Sequence, residues 1–356
     1  MNTKNICFLN LIVVLLGFSF FLHPVVLSGQ NETGLNVALQ QKQSEFLKWE
    51  FGMFMHFNMG TFVNREWATG YEDPLAFNPR KLNCNQWAKA AKSAGMKYGV
   101  LTIKHTGGWC LWPSQFTTHG IQAFKNYKGG KGDIVREFVD AFRKNGLKVG
   151  FYYCLPGDYS TKYGNKEDIF KGYKITKDQK DLHGLPTEAQ GDYTGFIEKQ
   201  ITELLTKYGI IDELWFDQYG NKYTAKDWQK IKVLVHKLQP NCIVLANNSN
   251  DYKDTDIYSY EFPYWKSVKK LEKAMPPVNN TNPSEVCDCI VDGSTWFWNS
   301  ENPLKLQDAQ VIVDKLKTCN NRKANYLLNV QPDRDGLING EFLKTLKEIG
   351  KIRNVK

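Results

Sequence analysis

The sequence predicts a (β/α)8 barrel of the TIM type, built as one domain, and three observations carry that reading. Short apolar, β-rich runs recur along the chain, and there are eight of them. Segments with apolar residues at helical spacing lie between most of these runs. No Gly-x-Gly-x-x-Gly turn is present, although a doubly wound, dinucleotide-binding sheet would want one after its first strand.

The chain has 356 residues, and its first part reads as a leader. Lys4 precedes an apolar run over 6–22, His23-Pro24 breaks it, and small and polar residues follow to Gln30. That is the pattern of a cleaved secretory signal over 1–29, so a secreted or periplasmic protein is expected. The run approaches membrane-spanning length, but no second one follows, and no stable membrane insertion is expected. Residues 30–356 are assigned to the barrel.

The eight predicted strands cover residues 51–57, 98–103, 148–154, 211–216, 242–246, 256–260, 286–291 and 326–330. Helices are predicted over 86–94, 134–145, 193–208, 225–238, 306–318 and 341–352. The clearest is 193–208, where Tyr193, Phe196, Ile197, Ile201, Leu204, Leu205 and Tyr208 share one face and Gly209 supplies the stop. The helix before the sixth strand is unclear, and 275–283 reads as a Pro/Asn-rich loop.

Formal net charge is +9. The lysines are mixed with Glu and Gly, as in 125–131, and no dense basic block with interleaved aromatics appears. A solvated basic surface is the expectation, and nucleic acid is not. Seven cysteines lie outside the leader, an odd and scattered set that does not make a disulfide framework. Cys154, Cys242, Cys287 and Cys289 sit in apolar runs and read as buried small residues. Sequons occur at Asn31, Asn247 and Asn279.

In a barrel the chemistry sits where strands end. The predicted strand ends carry His56 and Asn58, Lys104 and His105, Tyr152 and Tyr153, Asp217, Asn247 and Asn248, Glu261, and Asn329. Strand seven instead opens at Glu285. Each residue alone is more often a cap or a satisfied core polar group; together they outline a pocket. Trp67, Trp109, Trp112, Trp296, Phe297 and Trp298 are candidate aromatic walls for a sugar. Asp217, at the end of an apolar run, is where a glycosidase would keep its nucleophile. An alternative reading has His56, His105 and Asp217 hold zinc as in a barrel metallohydrolase, but no HxH or HExxH spacing supports it. Asp333-Arg334-Asp335-Gly336 starts like a calcium loop and fails at Leu337.

Five motifs carry a resemblance, in order: Trp49 to Asn58 (WEFGMFMHFN), Glu66-Trp67, Lys104-His105, Gly150 to Tyr153 (GFYY) and Glu213 to Asp217 (ELWFD). With Asn325 to Asp333 (NYLLNVQPD), they resemble glycoside hydrolase family 29, the α-L-fucosidases, over about residues 45–352. The resemblance implies a retaining exo-α-L-fucosidase acting on terminal α-linked L-fucose of oligosaccharides or glycoconjugates. It implies Asp217 as nucleophile and Glu285 as acid/base, with Glu261 as the runner-up. It further implies fucose binding by His56, Glu66, Trp67, His105 and Tyr153, and no metal or organic cofactor. A non-catalytic sugar-binding barrel is the alternative from another class.

Two departures bear on specificity. Many family members carry His-His-Asp-Gly-Phe where this chain has His105-Thr106-Gly107-Gly108-Trp109. That points toward the branch acting on α-1,3/1,4-linked fucose. Many relatives also carry a C-terminal β-sandwich, and none is expected after the barrel here.

Overall fold

The computed structural model describes residues 28–155, 189, 191–217, 225–265, 274–293, 295–301 and 305–355. Residues 39–356 make one compact unit and residues 1–38 another. The expected leader lies outside the described residues up to residue 27. Among the described residues, no helix is long and apolar enough to cross a membrane.

Eight strands form one sheet: β1 (Phe51–Met55), β2 (Tyr98–Lys104), β3 (Lys148–Cys154), β4 (Glu213–Asp217), β5 (Ile243–Ala246), β6 (Tyr258–Glu261), β7 (Ser284–Cys289) and β8 (Ala324–Asn329). Their order is β5-β4-β3-β2-β1-β8-β7-β6, and every paired neighbour is parallel. The β1–β8 pairing wraps the sheet into a nearly closed barrel. Strands covered on both faces read as continuous apolar runs, which is why β1 and β2 are buried along their whole length.

The seam between β5 and β6 is closed by other means. The Asp256 N–H donates to the Val244 carbonyl (2.7 Å), and the Asp256 carboxyl accepts from the Val244 N–H (2.9 Å). Thr255 Oγ1 accepts from the Ala246 N–H (2.9 Å), and the Ser259 hydroxyl donates to Asn247 Oδ1 (2.8 Å). Side chains here replace the ladder hydrogen bonds that buried backbone groups need.

The helices are α1 (Ser28–Leu47), α2 (Met59–Val63), α3 (Cys84–Ser93), α4 (Ile134–Lys144), α5 (Tyr193–Lys207), α6 (Ala225–Leu238), α7 (Ala309–Asn321) and α8 (Gly340–Ile352). Their starts are written in capping residues. Asn83, Asp133, Asp192, Asp308 and Asn339 each accept a hydrogen bond from an N–H of the first turn. Gly209, at φ 71°, follows the end of α5 in the left-handed conformation that favours glycine. α4 buries Ile134, Val135, Phe138, Val139, Ala141 and Phe142, an apolar stripe at helical spacing.

Several boundaries differ from expectation by one to three residues, and two of them have a clear cause. α7 starts at Ala309 instead of residue 306. Leu306 bridges to Val291 in extended form, and the helix begins only after the Asp308 cap. β7 covers 284–289 instead of 286–291, because the polar Ser284 and Glu285 already pair with Ala324 and Asn325 of β8. The second shift decides where Glu285 lies. All seven described cysteines are buried free thiols.

Candidate active site

A cavity of about 150 Å³ opens at the C-terminal ends of the strands. That is well below the roughly 300–1,000 Å³ of sites for drug-sized ligands, and it suits one small polar ring. β1 contributes Phe54, and His56 follows directly after its last residue. β3 contributes Tyr152, β4 contributes Trp215 and Asp217, β6 ends in Glu261, and β7 adds Cys287. Loops supply Glu66, Trp67, His105, Asn247 and Trp296.

Asp217 is held at both oxygens. The Tyr152 hydroxyl donates to Oδ2 (2.6 Å) and the Asn247 amide to Oδ1 (3.0 Å). Both donors fix the plane of the carboxyl. Asn247 is itself oriented by the Ser259 hydroxyl on its Oδ1. Such a buried, engaged amide does not suit a glycan, so this sequon is not an acceptor in the folded chain.

Glu261 lines the same cavity, and burial together with the Asp217 charge pushes its carboxyl up to about 8. It is therefore mostly neutral at pH 7. A carboxyl that keeps its proton beside a second carboxyl on one cavity is the arrangement acid/base chemistry needs.

The two histidines stay neutral. Burial, with the neighbouring His105 ring, lowers His56 well below the ordinary range, and burial pushes His105 down to about 3. Asn329 fixes the His56 tautomer. Its amide nitrogen donates to the Trp296 carbonyl (2.8 Å), which turns Oδ1 toward His56 Nδ1 (2.9 Å). That oxygen can only accept, so Nδ1 carries the proton and Nε2 is an acceptor. Glu66 Oε2 accepts from the N–H groups of Trp296 (2.8 Å) and Phe297 (3.3 Å), while burial pushes the carboxyl up to about 7.

His56, Glu66, Trp67, His105 and Asp217 are thus brought together as the sequence predicted. Tyr153 and Glu285 are not. Strand alternation sends Tyr153 outward, where its hydroxyl donates to Gln200 Oε1 of α5 (2.5 Å); Tyr152 faces the cavity instead. Glu285 is the second residue of β7, at the opposite end of the barrel from the rim, and does not line the cavity. Trp109 and Trp112 are not walls either. Both are buried and donate their indole N–H to Glu72 (2.9 Å) and Glu203 (2.8 Å). Asp333 turns inward on its own loop, accepting from the N–H groups of Asp335 and Leu337. The missed Tyr152 had a signal in the strand period, since it pairs in register with Trp215, two residues before Asp217.

The alpha-L-fucosidase family profile matches residues 34–356. The chain belongs to the alpha-L-fucosidase family. Alpha-L-fucosidase 1 of Arabidopsis thaliana is 29% identical over 337 residues, covering 87% of this chain and 60% of the relative. The tissue alpha-L-fucosidase of Bos taurus is 26% identical over 280 residues, covering 77% and 54%. This chain thus spans a little over half the length of these curated relatives. Among solved structures, alpha-L-fucosidase isoenzyme 1 from Paenibacillus thiaminolyticus superposes with a TM-score of 0.69 at 28% identity, covering 89% of this chain and 76% of that one. Family membership agrees with the resemblance read from the motifs and with the barrel built from them.

Proposed function

We propose that the protein is a retaining exo-α-L-fucosidase. The observation that carries this is the pairing of Asp217, held by two donors, with a protonated Glu261 on one sugar-sized cavity. Asp217 attacks the anomeric carbon of a terminal α-L-fucoside, and Glu261 gives its proton to the departing glycosidic oxygen. Covalent bond formation removes the Asp217 charge, and with it one cause of the raised Glu261 value. Glu261, now ionised, takes a proton from the incoming water, which releases fucose with retained configuration. This scheme uses Glu261 where the sequence reading chose Glu285.

The rest of the cavity suits the sugar. His56 Nε2 accepts from one hydroxyl, and His105 and Glu66 serve others. Phe54, Trp215 and Cys287 offer apolar surface for the methyl group on C5 of fucose. Trp67, 38% exposed at the cavity, can stack on the sugar or the group beyond it. The substrate is a fucosylated oligosaccharide or glycoconjugate, with α-1,3/1,4 linkage proposed from the Thr106-Gly107-Gly108 loop. The leader pattern over 1–29 supports a secreted or periplasmic enzyme. No organic cofactor or metal enters the scheme.

An aryl α-L-fucoside and a panel of linkage-defined fucosyl oligosaccharides test this reading. Azide should yield β-fucosyl azide with Asp217→Ala and α-fucosyl azide with Glu261→Ala. No fucose release from any substrate by the wild-type protein would sink the function. An α-fucosyl azide from Glu285→Ala would return the acid/base role to that residue.

A further inference from the structure

Below the cavity, the barrel interior holds a layer of polar side chains. Tyr98 opens β2, Glu213 opens β4, and Glu285 is near the start of β7, all fully buried. The layer has room because Gly52 faces it: a Cβ there would lie 2.4 Å from the Tyr98 ring. A carboxyl in such a place costs several kcal/mol unless donors meet it. Glu285 meets two. The Tyr98 hydroxyl donates to Oε2 (2.6 Å), and the Trp215 indole N–H donates to Oε1 (3.1 Å). A packed Leu or Met could fill the layer without that cost.

Trp215 joins this layer to the cavity. Its ring lines the cavity while its N–H reaches Glu285. Against it stacks Tyr152, with ring centroids 5.3 Å apart and planes 20° from parallel, and His105 stacks on Tyr152 at the same spacing and angle. The Tyr152 hydroxyl is the one that donates to Asp217. An indole has a single hydrogen-bond donor, so the Glu285 contact fixes its rotation in its plane.

We propose that Glu285 is a positioning residue for the reaction: it anchors the Trp215 indole and, through the Trp215–Tyr152 stack, holds the phenol that orients the nucleophile Asp217. This rests on reading the cavity as the fucosidase site. Glu285 touches neither substrate nor reacting atoms in this scheme. It acts through the side chains stacked above it.

A double-mutant cycle on an aryl α-L-fucoside tests it. Above about pH 7, where the raised Glu285 carboxyl is ionised, Glu285→Gln keeps the size but opposes one of the two donors with an amide N–H. It should lower kcat about tenfold, a change equivalent to one step of 1.36 kcal/mol in barrier. Trp215→Phe removes the indole N–H. In that background the same Glu285→Gln change should cost no more than about twofold, because contacting residues are not additive. Equal losses in both backgrounds, or no loss in the first, overturn the proposal. Should Glu285→Gln fail to fold, Trp215→Phe alone decides, and full activity in it overturns the anchor.

A ligand-free arm separates this from the function itself. With isotope-labelled indole nitrogens, the Trp215 N–H resonance, identified by its loss in Trp215→Phe, should shift and exchange faster in Glu285→Gln. An unmoved resonance overturns the anchor even if the enzyme is active. A moved resonance in a protein that releases no fucose leaves the anchor standing and rejects the fucosidase reading.

Discussion

The Tyr152 hydroxyl donates to Asp217 Oδ2 across adjacent strands at 2.6 Å, and Asn247 donates to the other oxygen at 3.0 Å. Tyr152 therefore holds the nucleophile in plane. Hydrogen bonds to a charged group contribute about 1.5–3 kcal/mol. Tyr152→Phe should lower kcat on an aryl α-L-fucoside by roughly ten- to a hundredfold, at 1.36 kcal/mol per decade. An unchanged melting temperature beside that loss would assign it to the reaction and not to the fold.

Glu261 sets the alkaline limit. With its carboxyl raised to about 8 by burial and by the Asp217 charge, the proton-donating form is present below that pH and lost above it. The pH profile of kcat/KM should fall on the alkaline side near 8. Glu261→Gln should flatten that limb and slow substrates whose leaving group needs a proton far more than activated aryl fucosides. A limb that persists unchanged in Glu261→Gln would assign the titration to another group.

These two residues show what was legible from residue order. The barrel was legible because both-face burial forces apolar runs, and the helix starts because caps need Asp or Asn. His56, His105 and Asp217 followed from the rule that chemistry collects at strand ends. The family resemblance implies Tyr153, whereas the register with Trp215 turns Tyr152 inward. Glu285 was chosen on family resemblance, against a strand rule that already put it at the wrong end. Asn247 holding Asp217 depends on β5 and β6 meeting at the seam, a long-range pairing that no local pattern encodes.

The seam makes a stability prediction. Asp256 is buried with Lys42 (2.8 Å), His236 (2.9 Å) and Lys232 (3.6 Å) around it, and also accepts the Val244 N–H. Although burial opposes it, these partners hold its carboxyl well below the ordinary range. Removing the carboxyl leaves buried cations uncompensated, at a cost of about 3–5 kcal/mol. Asp256→Ala should therefore lower the denaturant midpoint sharply, and Asp256→Asn nearly as much. With its folded value depressed, the Asp256 contribution is complete above its unfolded pKa and fades as pH falls below about 4. Acid unfolding should thus begin at higher pH in variants that weaken the cluster, such as Lys42→Met.

Glu213 has the opposite sign. Neither carboxyl oxygen has a hydrogen-bond partner, and burial with the Glu285 charge nearby raises it well above the ordinary range. Burial raises Glu285 as well, to about 7, but its two donors let it ionise before Glu213, so Glu213 keeps its proton in the fold while the unfolded chain releases it above about pH 4.3. The folded state then binds one more proton, and this group's contribution to stability falls with rising pH. The slope is about −1.4 kcal/mol per pH unit for one proton. Other buried carboxyls add slopes of the same sign, so the useful quantity is a difference. Subtracting Glu213→Gln from wild type, by urea unfolding at several pH values between about 5 and 7, should leave close to that slope. A difference independent of pH would mean that Glu213 is ionised in the fold, and that the barrel floor carries a charge its surroundings do not balance.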